Sequence, residues 1–351
     1  MKTGKFRTIF VLVLSTVMLM YISSICLFEN TQTSTFNTSA IPASINSGEI
    51  SVNNESAVET VKNEIVADNN TGSVVNAETQ SQAVAASSEA KGKIINKTIS
   101  PYSAGLSYNN IYIKNSTGLS VDIKSLLNQN LKYKIDIGSS PQVLIMHTHT
   151  TESFMTEQRD FYTSSDQARR TDENLNMVAL GNIVADKLNA AGINTIHDKT
   201  MHDYPQYNGS YNRAATTINS YLKKYPSIKI VLDMHRDAIS SGSDKVKVTT
   251  DINGKKAAQV MLVMGSQSGS VTNFPDWQEN LKLAVRFQQT LEVMYPTLAR
   301  PLSLTSKNYN ESLTNGSMLL EMGTDANTIE EVKYSAELVG NALVSLLNTI
   351  K

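Results

Sequence analysis

The sequence predicts an α/β domain with a mainly parallel sheet flanked by helices, preceded by a single N-terminal transmembrane helix and a disordered linker. Three observations carry this. An unbroken apolar run covers residues 9–28, and a polar stretch poor in aromatics follows it to about residue 94. From Ile95 onward, short β-rich runs alternate with longer helical ones, the signature of parallel strands joined by crossover helices.

Lys2, Lys5 and Arg7 stand before the apolar run IFVLVLSTVMLMYISSICLF. About 20 residues at 1.5 Å rise span roughly 30 Å, the hydrocarbon thickness of a bilayer. A cleaved signal peptide has a shorter apolar core, about 7–15 residues, and small residues at its cleavage point. This run is longer and ends Cys-Leu-Phe, so it reads as an uncleaved anchor. Cys26, in Ser-Ser-Ile-Cys, sits in a poor lipoprotein box and reads as a membrane-buried thiol. No Lys or Arg lies between Arg7 and Lys62, so the positive-inside bias keeps the N-terminus cytoplasmic and exports the chain beyond Phe28.

Residues 29–94 are dominated by Ser, Thr, Asn, Ala, Val and Glu, with no aromatic after Phe36. Such a stretch cannot bury enough surface to offset its chain entropy. As a random coil it would let a folded domain reach some tens of Å from a membrane.

In the remainder, 95–351, strands are expected at 142–147, 193–197, 228–234, 258–264 and 318–322. Helices are expected at 172–191, 210–224, 277–295 and 327–349. The first of them aligns Leu175, Val178, Ala179, Ile183 and Leu188 on one face, and Gly192 is its natural stop. There is no internal repeat, and one domain of about 250 residues is the simplest account.

Composition narrows the chemistry. With 31 Lys+Arg against 32 Asp+Glu there is no electrostatic reason to expect nucleic acid as a partner. A single Cys excludes a disulfide framework, a Cys-based zinc finger and an iron–sulfur cluster. Any metal would rest on the five His and on carboxylates. There is no G-x-S-x-G elbow and no phosphate-binding glycine motif.

Three expected strands end in groups that bind metal or move protons: His147-Thr-His149-Thr-Thr-Glu152, Asp233-Met-His235-Arg236-Asp237, and Glu321. In open α/β sheets the loops at the carboxyl ends of strands gather into one crevice. Zinc catalysis needs about three His or carboxylate ligands and a nearby base for the water proton. His149, Glu152 and His235 supply the ligand types and Glu321 the separate carboxylate. His147 is either a ligand or a donor that fixes its neighbour's ring. A lone His is more often a hydrogen-bonded core residue; the clustering of two motifs after two strands favours a metal site.

The segments VLIMHTHTTESF, HDKTMHDYPQYNGSYNRA, IKIVLDMHRDA and SMLLEMGTDANTIEE, in this order, resemble the stage II sporulation protein P family of endospore-forming bacteria. The likeness runs from about residue 100 to 351, and the anchor and linker also resemble that family. It implies a membrane-anchored, zinc-dependent peptidoglycan hydrolase, an N-acetylmuramoyl-L-alanine amidase with associated endopeptidase activity on cross-links. It also implies action during forespore engulfment, from the mother-cell membrane facing the forespore, with stage II sporulation proteins D and M as partners. The implied fold is that of zinc amidases and carboxypeptidases, a phosphorylase/hydrolase-like α/β sandwich.

By this resemblance His149 is the first zinc ligand, His235 the second His, and Glu321 the catalytic base. The remaining ligand is Glu152 if the carboxypeptidase H-x-x-E pattern applies, or Asp172 or Glu173 if it opens the following helix as in amidases. Glu152 is preferred, because it lies inside the strongest motif. Arg236 would stabilise the oxyanion or bind a stem-peptide carboxylate, or else form a salt bridge to Asp237 or Asp233. Lys199, Asp203, Tyr207 and Arg213 are candidate groove residues, each equally readable as a surface residue or loop anchor. The competing functions are a catalytically degenerate cell-wall-binding scaffold and a zinc carboxypeptidase trimming stem peptides.

Overall fold

The computed structural model describes residues 89–351 apart from Ala104 and Ser139, so the expected anchor and nearly all of the expected linker lie outside the described residues. Among the described residues no helix is long and apolar enough to cross a membrane.

In chain order the strands are β1 (Ala90–Lys97), β2 (Leu106–Tyr108), β3 (Ile111–Asn115), β4 (Val143–Met146), β5 (Phe161–Thr163), β6 (Thr195–His197), β7 (Ile230–Asp237), β8 (Ser240–Ser241), β9 (Asp244–Ile252), β10 (Lys255–Ala258), β11 (Val260–Met264), β12 (Leu302–Leu304) and β13 (Ser317–Thr324). The helices are α1 (Ile123–Asn128), α2 (Met177–Ala190), α3 (Ser210–Lys224), α4 (Trp277–Met294) and α5 (Ile329–Leu347).

The larger sheet runs β2-β3-β12-β11-β13-β7-β4-β6. Its centre, β13-β7-β4-β6, is parallel throughout. The sheet as a whole is mixed, however, because β2–β3 and β11–β13 pair antiparallel. The expectation of a mainly parallel sheet therefore holds only in part. The cause lies in connectivity: only Gln259 separates β10 from β11, with no crossover helix to restore the direction, and antiparallel entry needs none.

Strand β4 shows why the centre reads as a continuous apolar run. Val143 and Ile145 join the core formed with α2, α4 and α5, while Leu144 and Met146 pack with Ala214 and Ile218 of α3. Both faces are covered, so every residue of the strand is buried. The same alternation governs β7 and β13. Ile230, Leu232 and Met234, like Met318, Leu320 and Met322, enter the larger core. Asp233, His235 and Glu321 consequently face the α3 side.

Helix α2 begins at Met177, five residues later than the apolar periodicity suggested. Asp172 closes a local turn by accepting the Asn174 N–H at 2.9 Å, and Asn176 caps the helix by accepting the Val178 N–H at 2.9 Å. Helix α5 starts with a capping box in which Thr328 and Glu331 satisfy each other's backbone N–H groups.

A second, smaller sheet has the order β10-β9-β1-β5, with β8 on β9. Strands β9 and β10 form a hairpin across Asn253 and Gly254, both at positive φ (52° and 75°), as a tight hairpin turn demands. Strand β1 draws residues 90–94, assigned from sequence to the linker, into this sheet.

Candidate active site

In β7 and β13, His235 and Glu321 are direct register partners. Register partners on parallel strands project to the same face, so an imidazole and a carboxylate stand side by side. Asp233, two residues before His235, shares that face, and Met146 at the end of β4 pairs with it. The turn after β4 is thus delivered directly over β7.

That turn is held by side chains and backbone alike. His147 is fully buried, and its Nδ1 lies 3.0 Å from the Met234 carbonyl oxygen. A carbonyl only accepts, so Nδ1 carries the proton, and Nε2 lies 2.9 Å from His197 Nε2. Both ring nitrogens are engaged, which makes His147 the pin that ties β4 to β7 rather than a ligand. Thr148 donates both its N–H (2.8 Å) and its hydroxyl (2.6 Å) to the Asp233 carboxylate. The Glu152 N–H closes the turn onto the His149 carbonyl at 3.1 Å.

Four side chains meet above these anchors. The buried His149 ring lies edge-on to His235, centroids 5.2 Å apart, and its Nδ1 has no hydrogen-bond partner. Glu152 Oε2 accepts the backbone N–H of Arg236 at 2.8 Å and lies 3.8 Å from His235 Nδ1. His235 Nε2 is 2.9 Å from Asp233 Oδ1, yet its N–H does not point along that contact, so it makes an ion contact without an aligned hydrogen bond. Glu321 Oε2 is buried and also unpartnered.

Charge follows from this crowding. Burial pushes His235 down, but Asp233, and after it Glu152 and Glu321, outweigh that and hold its pKa at about 10. Burial drives Glu321 up to about 8, with Glu152 and Asp237 adding to the rise and His235 opposing it. His149 falls to about 4, through burial and then the nearby His235 and Arg169. Three carboxylates around one imidazole make a field that retains a proton and equally attracts a cation.

Among the described residues no group of three His, Cys, Asp or Glu side chains has the spacing of a formed metal site. In donor chemistry the cluster fits zinc. Two imidazoles and one carboxylate, His149, His235 and Glu152, are a common catalytic set. The unpartnered His149 Nδ1 is a buried nitrogen lacking the hydrogen bond such an atom normally makes.

The other sequence candidates lie elsewhere. Asp172 and Glu173 are exposed; the first holds its own turn, and the second lies 4.0 Å from Lys199 at the surface. Asp203 is buried and accepts the Thr151 N–H (3.1 Å) and hydroxyl (2.6 Å), so it anchors the turn. Arg213 anchors the 202–209 loop by donating to the carbonyls of His202, Gln206 and Asn208. Tyr207 does reach the site, stacking on the His149 ring at 4.7 Å.

Arg236 departs from the expected oxyanion or carboxylate contact. Its guanidinium donates to the carbonyls of Asp237 (3.1 Å) and Ala168 (3.0 Å), and Asp237 pairs instead with Arg300. The reason is strand geometry: Arg236 follows His235, so its side chain projects from the opposite face. Only its backbone N–H serves the cluster.

Asp233 and Arg169 were assigned no role in the site from the sequence. Asp233 was legible by period-two spacing from His235. Arg169 was not; it sits in a polar segment without periodicity, and an isolated bridge sets it opposite Glu152.

An α/β sheet whose adjacent strand ends gather two imidazoles and several carboxylates on one face defines a protein with a buried, cation-attracting polar site. The chain belongs to the stage II sporulation protein P family, whose model matches residues 25–344. It is 29% identical over 212 residues to the stage II sporulation protein P of Bacillus subtilis (strain 168), a match covering 57% of this chain and 49% of that protein. The chain thus spans about half the length of that relative.

Among solved structures it resembles the N-acetylmuramyl-L-alanine amidase Ami1 of Mycobacterium smegmatis (12% identity, 60% of this chain and 98% of that one, TM-score 0.36). It also resembles an N-acetylmuramoyl-L-alanine amidase from Clostridium difficile 630 (14% identity, 60% and 97%, TM-score 0.35). A third is a metallo-carboxypeptidase from Burkholderia cenocepacia (11% identity, 61% and 58%, TM-score 0.32).

Proposed function

We propose that the protein is a zinc-dependent peptidoglycan hydrolase of sporulation, cutting the amide between N-acetylmuramic acid and L-alanine. The observation that carries this reading is the meeting of His149 and Glu152, from the turn after β4, with His235 and Glu321 on the adjoining sheet face. Family membership supports the setting: forespore engulfment, with a membrane anchor at residues 9–28, the domain on the extracytoplasmic side, and stage II sporulation proteins D and M as partners.

In this reading His149, Glu152 and His235 hold the metal. A bound zinc ion supplies Lewis-acid polarisation of the scissile carbonyl and a more acidic water. The chain's own residues do the rest. Glu321 Oε2 takes the water proton and returns it to the leaving nitrogen, a role suited to a carboxylate whose affinity for a proton burial has raised. Asp233 orients His235, as carboxylates commonly do for ligating imidazoles.

The test compares residues 89–351 as wild type and His235→Ala. Metal is measured by elemental analysis, and products from purified peptidoglycan by mass spectrometry. About one zinc per chain and stem peptides beginning at L-alanine, both lost in the variant, support the proposal. Zinc with intact lactyl–alanine bonds and trimmed stem peptides moves the activity to the carboxypeptidase class. A zinc-free, inert wild type overturns the hydrolase reading.

A further inference from the structure

We propose that Arg169 is a catalytic residue whose guanidinium binds the oxygen of the scissile carbonyl and stabilises the negative charge that develops there. The inference rests on the hydrolase reading above and assigns to Arg169 a role the sequence had offered to Arg236.

Three observations converge on it. The first is place. The isolated bridge between Arg169 and Glu152 sets the two residues abreast, and Arg169 Nη2 lies 3.5 Å from Glu152 Oε1. The same guanidinium sits 4.5 Å over the Tyr207 ring, which in turn stacks on His149 at 4.7 Å. It therefore borders Glu152 directly and is linked to His149 through the Tyr207 ring.

The second is capacity. Arg236 and Arg300 are buried, the first on two carbonyls and the second on Asp237. Lys199 is at the surface beside Glu173. The Arg169 side chain is 37% exposed beside the cluster, so substrate can reach it. A guanidinium offers five N–H donors, and the contacts to Asp203 and Glu152 leave others free for an incoming oxygen.

The third is rigidity. Asp203 holds Nη1 and is itself fixed by Thr151, while Tyr207 supports the guanidinium plane from below. A donor already fixed in place needs no reorganisation as charge develops, which is where such groups have their largest effect.

The step balances as an amide hydrolysis. The water oxygen bonds to the carbonyl carbon as its proton passes to Glu321, and the C=O pair moves onto the oxygen facing Arg169. Collapse re-forms the carbonyl, breaks the C–N bond and sends the proton from Glu321 to the leaving nitrogen.

The experiment uses the full-length chain and a soluble N-acetylmuramoyl-L-alanyl peptide. It compares wild type, Arg169→Gln, Arg169→Lys and Arg169→Ala, with zinc content and thermal melting measured for each. Arg169→Gln is expected to lower kcat about 10²–10³-fold, with KM and zinc content changed by no more than about twofold. Added guanidinium should restore about tenfold or more of the activity lost in folded Arg169→Ala, and equal ammonium should not. Near-normal kcat in Arg169→Gln overturns the assignment, as does zinc loss in step with activity or failed rescue in a folded, zinc-loaded variant. If Arg169→Gln does not fold, the same kcat, KM and zinc comparison on Arg169→Lys decides. A wild type that binds zinc and cleaves nothing overturns the hydrolase reading, and the role of Arg169 with it; an active wild type with an equally active Arg169→Gln overturns only the latter.

Discussion

Glu321 on β13 is the register partner of His235 on β7, and the two point to the same side of the sheet. Their spacing is therefore set by the interstrand distance and not by loop conformation. Glu321→Gln preserves shape and hydrogen-bonding reach while removing the proposed base. We expect kcat to fall about 10²–10⁴-fold with zinc content unchanged. Steady-state rates paired with elemental analysis check this, and loss of zinc along with the activity would place Glu321 among the ligands instead.

Arg236 gives the opposite expectation. Its guanidinium bridges the Asp237 and Ala168 carbonyls, so Arg236→Met removes two partly buried hydrogen bonds, the second of which ties the 165–170 segment to β7. The variant should lose about 1–3 kcal/mol of unfolding free energy and retain most of its kcat when zinc-loaded. Urea denaturation beside initial rates separates the two effects. A kcat loss without a stability loss would return Arg236 to the reacting atoms.

Gly181 on α2 packs against the His147–His197 pair. An added Cβ would lie 2.3 Å from His197 Nε2 and 2.9 Å from His147 Nε2. Gly181→Ala should cost about 1–3 kcal/mol by overpacking, although alanine is the better helix former. Equilibrium unfolding measures it, and an unchanged or higher midpoint would contradict the close contact.

The same histidine pair predicts a pH dependence for the zinc-free domain. Burial lowers His147 to about 4 and His197 to about 3, below the ordinary value of 6.5. The folded state then binds fewer protons than the unfolded chain between those limits. Their contribution is complete above about pH 6.5 and is lost as pH falls toward 4 and below. His147→Asn keeps a donor near the Met234 carbonyl without the titration, so its stability profile over this window should be flatter than wild type. Chelated samples unfolded in urea at pH 4.5 and 7 provide the comparison.

The centre of the fold was legible because β4, β7 and β13 are buried on both faces and carry dense apolar runs. The convergence of His149, Glu152, His235 and Glu321 was legible for a related reason, since parallel strands end on the same side and in-register residues share a face. The smaller sheet escaped notice. Its long strand, DKVKVTTDI, alternates Lys and Thr with Val, and burial of Lys247 depends on a salt bridge to Glu331, 84 residues further on. The Asn253-Gly254 pair signalled its hairpin but stood alone without a recognised strand before it. Arg169 and Arg236 show a different limit: charge alone does not reveal which face of the local backbone a side chain leaves from, and that geometry decides which arginine reaches the site.

Strand β1 also determines how force enters the domain. It lies between β9 and β5, pairing through residues 94–97 with the first and through residues 90–93 with the second. Tension applied to this domain from its N-terminal side runs along the strand axis. The interstrand hydrogen bonds lie across that axis and are loaded together in shear, instead of parting one at a time as in an unzipping hairpin. Mechanical resistance is then governed by the unfolding rate of this small sheet.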